Sequence, residues 1–193
     1  MALAEARNAM KASEGDKIIG SVAMSVTLVS FGMLFLTLMM AFALYRITAP
    51  VWPPAGMTKP SLLIPGISTF LIALSSYLFI KFEKNIENGV VDKRNLIFVL
   101  ILGTGFMLSQ FIFWNQLKSH GIYASSGIFP SIIYSFTWIH AAHIVAGLGL
   151  LAWLYGSLNS PDKMTAVKAS NIGKFWHFLG IVWLIMFVTI FVL

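Results

Sequence analysis

The sequence predicts an all-α integral membrane protein, a bundle of five transmembrane helices, and three observations predict it. Hydrophobic residues make up 58% of the chain and charged residues 10%, with a mean hydropathy of +0.84, which does not fit a soluble globule. Its uncharged stretches are long enough to cross ~30 Å of hydrocarbon at ~1.5 Å per residue. Basic residues fall between these stretches, unequally on alternate sides. The formal net charge is +6. Carried in short loops, it points to anchoring at an anionic leaflet and not to nucleic acid. Cysteine is absent, which excludes disulfides, a thiolate nucleophile, iron–sulfur ligation and covalent c-type haem attachment.

Residues 1–17 mix both signs of charge and lack the apolar core and cleavage site of a signal peptide. They are expected to be a cytoplasmic tail, solvated rather than lying on the membrane as an amphipathic segment. Residues 18–193 form the transmembrane domain, with spans expected at about 18–45, 61–82, 95–117, 129–157 and 174–193. The first span, Ile18 to Tyr45, contains no charge and ends at Arg46. Five of the seven prolines then fall between Pro50 and Pro65. Lacking a donor and fixing φ, they predict a rigid extended loop, with Trp52 in the interfacial belt.

The second span opens on Pro65 and Gly66, tolerated in a helix's first turns. Its hydroxyls Ser68, Thr69, Ser75 and Ser76 can bond across helices. Lys81 to Arg94 reads as a charged hairpin loop turning at Asn88-Gly89. In the third span Gly103, Gly105 and Ser109 would permit close backbone approach, and Gln110 and Asn115 are its polar members. From Ser119 to Pro161 there is no Asp, Glu, Lys or Arg. The fourth span lies within that stretch. It starts near Pro130, with Ser131, Ser135, Ala142 and Ala146 as a small-residue packing stripe. The fifth runs to the last residue. The tail and the second and fourth loops carry ten Lys/Arg, while Arg46, Lys59 and Lys118 are the three on the other side. The asymmetry predicts the N-terminus inside and the C-terminus outside.

His140 and His143 share one face of the fourth helix, and with His177 they suggest a metal or haem site. Depth argues against it. His143 would lie ~21 Å in from the outer end of its helix and His177 ~5 Å from the inner face. The ~15 Å left between them is far more than ligands at ~2 Å from one metal allow. His140 lies further still from His177. The expected reading is no metal, no catalytic residue and no cofactor in this chain. His140, His143, His177, Trp52, Gln110, Ser75 and Ser76 are expected to pack helices or bind lipid. No acid falls within the expected spans, so a proton path is not predicted. A phosphate loop and a plausible triad are also absent. The residues point to a membrane subunit whose function lies in its partners.

Taken together, the motifs resemble subunit III of the haem–copper terminal oxidases, in a short five-helix bacterial form lacking the family's first two helices. Gly32-Met33-Leu34-Phe35-Leu36 resembles the start of the family's third helix. Trp52-Pro53-Pro54, then Pro65-x-x-Ser68-Thr69 and Ser75-Ser76, resemble its WPP loop and following helix, with Ser68 in place of Asn. Gln110 matches the family's helix glutamine. Thr137-x-x-His140-x-x-His143-Ile144-x-x-Gly147 resembles its T-G-x-H-x-x-H-V-x-x-G signature, and Phe175 to Trp183 is similar to Y-W-H-F-V-D-V-V-W. Trp138 stands where the family has Gly, and two acids are missing: one falls near Met39, the other becomes Gly180.

The resemblance implies an accessory, non-redox subunit of a cytochrome c oxidase of aa3 type in a bacterial inner membrane. It further implies packing against catalytic subunit I and subunit II, structural phospholipid in a cleft, and support of proton uptake. Haem and copper would then belong to the partner subunits. The alternatives are subunit III of a quinol oxidase, a nitric oxide reductase accessory protein, or, from another class, a small transporter or a membrane cytochrome b. Haem absorbance of the isolated chain discriminates that last pair.

Overall fold

The computed structural model describes residues 2–50, 62–159 and 164–192, with the side chains of the first helix described mainly from Ile18 onward. It is all-helical there: α1 (Ala2–Thr48), α2 (Leu63–Glu87), α3 (Lys93–Ser119), α4 (Ile128–Ser157) and α5 (Thr165–Phe187). A short 3₁₀ turn (Ala124–Ser126) precedes α4, and a π-helical turn (Val188–Val192) extends α5. Five helices are long and apolar enough to cross a membrane, the span in α1 being Ile18–Thr48. This is a multi-pass membrane bundle.

Local chemistry fixes the helix ends. Pro65 and Pro130 each occupy the third position of their helix, where a backbone N–H has no intrahelical partner to lose. Between α2 and α3 the chain reverses at Gly89, whose φ of +78° only glycine adopts without strain. The Asp92 carboxylate then accepts from the Arg94 N–H at 3.0 Å and caps α3. Gly127 (φ +146°) opens α4 from a conformation nearly closed to other residues.

Three expectations of the sequence change here. α5 begins at Thr165, nine residues before the expected span, so Lys168 and Lys174 lie on the helix and not in a loop. The charged stretch after Ile80 continues α2 to Glu87, so the loop shrinks to the few residues before Lys93. Charged side chains at a helix end reach the interface by snorkelling, so charge alone does not end a helix. The backbone of residues 2–17 is also helical and continuous with α1. Trp52 and the Pro-rich loop between Pro50 and Ser61 lie outside the described residues.

α5 is the element around which the others are arranged, packing against α1, α2 and α4, while α2 and α3 form the most extensive pair. Trp176 shows why. Its ring lies against Gly103 of α3 and Gly147 of α4, and added Cβ atoms would stand 2.8 Å and 3.0 Å from it. Its indole N–H donates to the Ser75 hydroxyl of α2 at 3.1 Å. One side chain therefore joins four helices, using small residues where backbones must approach. The other small residues of α4 do not serve this purpose: Ser135, Ala142 and Ala146 face away from the bundle. α1 is the least covered helix, with large aliphatic side chains such as Val26, Met33 and Met40 exposed along it.

Candidate functional site: the polar interior

Polar side chains inside the bundle must find partners within it, because hydrocarbon offers none. α2 supplies hydroxyls to both neighbours. Ser75 accepts from Trp176 and donates to the Val99 carbonyl of α3 at 3.3 Å. Two turns along α5, the Trp183 indole donates to Thr69 at 3.0 Å, and Thr69 donates to the Pro65 carbonyl at 2.8 Å. The pairing of Trp176 with Ser75 and Trp183 with Thr69 fixes the antiparallel register of α2 and α5.

Between α2 and α3 lies a second group. Gln110 Nε2 donates to Ser68 Oγ at 3.1 Å, and Ser68 and Ser109 hydroxyls meet at 2.6 Å. Ser109 Oγ lies 2.6 Å from the Phe106 carbonyl. All three residues are buried. Ser68 Oγ is also 2.9 Å from the Ile64 carbonyl, so each hydroxyl can give its one proton to its own backbone carbonyl or to the other hydroxyl, and Gln110 Oε1 is left without a partner among the described residues. Between α3 and α4 the Trp114 indole donates to Thr137 at 3.0 Å.

His140 is different. It is fully buried, and its ring centroid sits 6.0 Å from Phe35, 5.8 Å from Phe106 and 5.5 Å from Trp183. Neither ring nitrogen has a hydrogen-bond partner among the described residues. This imidazole is an aromatic plug at the meeting of α1, α3, α4 and α5. His143, one turn on, is half-buried against Phe31 at 4.4 Å. Its Nδ1 lies 2.7 Å from the Ile139 carbonyl, which can only accept, so the proton is on Nδ1.

His177 lies near the middle of α5, six residues before Trp183; because α5 begins at Thr165, it is ~18 Å into its helix and not the ~5 Å expected from the sequence. Its Nε2 is 3.4 Å from the Glu83 carboxylate, with Phe79 against its ring. Glu83 is the polar residue that sequence reasoning missed. Its charged neighbourhood reads as a loop, yet it lies on α2 four residues beyond Phe79, continuing the buried row Ser68, Ile72, Ser75, Phe79. That helical spacing was the available signal. Gly173 makes the room: a Cβ there would collide with Glu83 Oε1 and Phe79. Ser76 faces a groove between α2 and α5 lined also by His177 and Gly180. A Cβ at Gly180 would stand 3.2 Å from the Ser76 hydroxyl.

The structure does not bring the three histidines together. His140 and His143 share α4, while His177 faces α2 and pairs with Glu83. Among the described residues, no three His, Asp or Glu side chains gather as a metal ion would need. Each imidazole ring instead packs against an aromatic ring of a neighbouring helix.

The class so defined is a polytopic membrane helix bundle whose interior polar groups serve interhelical contact. No family model matches the chain. It is similar to the cytochrome c oxidase subunit 3 of Synechocystis sp., at 28% identity over 174 residues, covering 86% of this chain and 72% of that protein. It is also similar to the cytochrome c oxidase subunit 3 of Thermostichus vulcanus, at 24% over 175 residues, covering 87% and 84%. A probable cytochrome c oxidase subunit 3 of Mycobacterium leprae matches at 27% over 145 residues, covering 72% and 70%. Across most of its length, the chain resembles cytochrome c oxidase subunit 3 proteins.

Proposed function

We propose that the chain is subunit III of a bacterial cytochrome c oxidase of aa3 type, an accessory membrane subunit without redox groups of its own. One observation carries this reading: similarity to several cytochrome c oxidase subunit 3 proteins runs through most of the chain. The interior is consistent with it. Ser68, Ser75, Ser109, Gln110 and the indoles are engaged between helices, and His140 packs among rings. In this reading the chain packs on the catalytic subunit, and haem and copper are held by partner subunits. The N-terminus faces the cytoplasm, by the ten-to-three distribution of basic residues. The missing acids at Met39 and Gly180 remove any direct proton-handling role at those two positions.

Pull-down of the affinity-tagged chain from native membranes tests the proposal. The expected result is co-purification of haem-bearing chains, with no haem absorbance in the chain isolated alone. A haem spectrum carried by the isolated chain would overturn it in favour of a membrane cytochrome.

A further inference from the structure

The sequence puts every acid outside the expected spans, yet the structure carries one into the membrane-crossing part of α2. Glu83 lies four residues before the end of the span Leu63–Glu87, and its side chain is only 21% exposed. A carboxylate in such a segment is costly unless it is paired. α5 makes a place for it with two residues one helical turn apart. At Gly173 the space that a Cβ would need is taken by Glu83 Oε1, and at His177 the ring Nε2 stands 3.4 Å from Glu83 Oε2. The His177 side chain is 26% exposed, with the Phe79 ring edge-on to it at 5.9 Å.

The pair lies at a boundary. On one side, a turn along both helices, Ser21, Glu87, Ser170, Asn171 and Lys174 line a polar hollow of about 260 Å³. On the other, His177 lines the groove between α2 and α5 together with Ile72, Ile80, Ile181 and Leu184. The hollow gives protons a way to the pair, and the apolar groove lowers the dielectric around it, which strengthens any charge interaction. Other charges nearby are few. Glu87 on α2 and Lys174 on α5 are opposite in sign, and Lys81 and Lys84 are exposed. Asp92, ahead of α3, is engaged by the Arg94 N–H and by Asn95. α1 has no charge from Ile18 to Tyr45, and α4 brings only His143, packed on Phe31. At the pair itself the titratable partner of Glu83 is an imidazole, the side chain that changes charge between about pH 5 and 8.

We propose that Glu83 and His177 form a proton-strengthened clasp between α2 and α5. Neutral His177 can give the carboxylate one ordinary hydrogen bond. A proton taken from water at the hollow onto the ring, with no other bond made or broken, turns that contact into an ion pair. The 3.4 Å separation exceeds the ~2.7–2.9 Å of a closed charge-assisted bond, so the imidazolium has room to close on the carboxylate and hold α5 against α2. Acid therefore tightens this part of the bundle and alkali loosens it. The sign follows from linkage: a histidine that gains an anionic partner on folding adds stability at the acid end, which is lost as pH rises. The assignment does not depend on the oxidase reading.

Thermal denaturation of the full-length chain in mild detergent tests it, at about pH 5.5 and about pH 8, on the two sides of imidazole titration. Wild type is compared with Glu83→Gln, His177→Gln and Gly173→Ala. The last leaves both titratable groups in place and displaces only the carboxylate. The quantity read is the Tm advantage of wild type over each variant. It is expected to be about 2–4 °C larger at the acid pH, the shift that upgrading one hydrogen bond to a charged one gives a chain of this size. The double variant Glu83→Gln/His177→Gln should lose no more of this pH-dependent part than either single variant. An advantage equal at both pH values, the mark of a plain hydrogen bond, would overturn the proposal. So would a pH-dependent effect of His177→Gln that persists when Glu83 is already Gln. Should Gly173→Ala fail to fold, the two Gln variants decide the outcome alone.

Discussion

At the scale of single residues, glycine and tryptophan decide the packing. Gly103 and Gly149 lie in neighbouring helices of similar composition, but a Cβ at Gly103 would sit 2.8 Å from Leu148 and Trp176, while nothing lies within 4 Å of Gly149. Gly103→Ala should therefore destabilise the bundle by about 1–3 kcal/mol through overpacking. Gly149→Ala should be neutral or gain up to about 1 kcal/mol, because alanine is the better helix former. Thermal denaturation in detergent, followed by tryptophan fluorescence, checks the pair; equal losses at both sites would refute the assignment of Gly103 to the close approach.

His140 gives a second contrast. A buried imidazole with neither nitrogen bonded gains nothing from its polarity, and replacing an unsatisfied polar group by an apolar one of similar shape is near neutral. His140→Phe is expected to stay within about 1 kcal/mol of wild type and to leave the metal content of any complex unchanged. Trp176→Ala, by comparison, empties the centre of four helices and should cost about 3–5 kcal/mol. If His140→Phe proved as damaging as Trp176→Ala, the reading of His140 as an aromatic plug would be refuted.

At the scale of helices, length and charge-free composition were enough to locate all five, since a bilayer demands long apolar runs. What composition could not reveal was where charge and helix coexist. Lys81, Glu83, Lys84 and Glu87 look like loop residues, yet the turn is set by the positive φ of Gly89, and Glu83 stays on α2 to meet His177. Partner choice was equally hidden. Gly103, Gly147 and Trp176 are ordinary members of three separate apolar runs, and their meeting depends on contacts between residues far apart in sequence. The stripe Ser135, Ala142, Ala146 had helical spacing but the wrong face. Orientation is a matter of elements too. With the N-terminus cytoplasmic, a single cysteine at Asn88 should react with an impermeant maleimide only from the inside, and one at Ser125 only from the outside; reversed labelling would sink the topology.

At the scale of the whole molecule, the helices are held by interior hydrogen bonds worth ~0.6 kcal/mol each and by aromatic packing, with α1 left broadly uncovered. A chain with such open apolar faces, and similar to subunit 3 proteins of cytochrome c oxidase, is proposed to stabilise a larger assembly without carrying its electrons. Removing it from the purified oxidase and following oxygen consumption over successive turnovers tests that claim most directly. The account predicts intact haem spectra, an initial rate largely retained, and activity that then decays faster than in the complete enzyme. Loss of initial oxygen reduction, with haems and copper still in place, would contradict it.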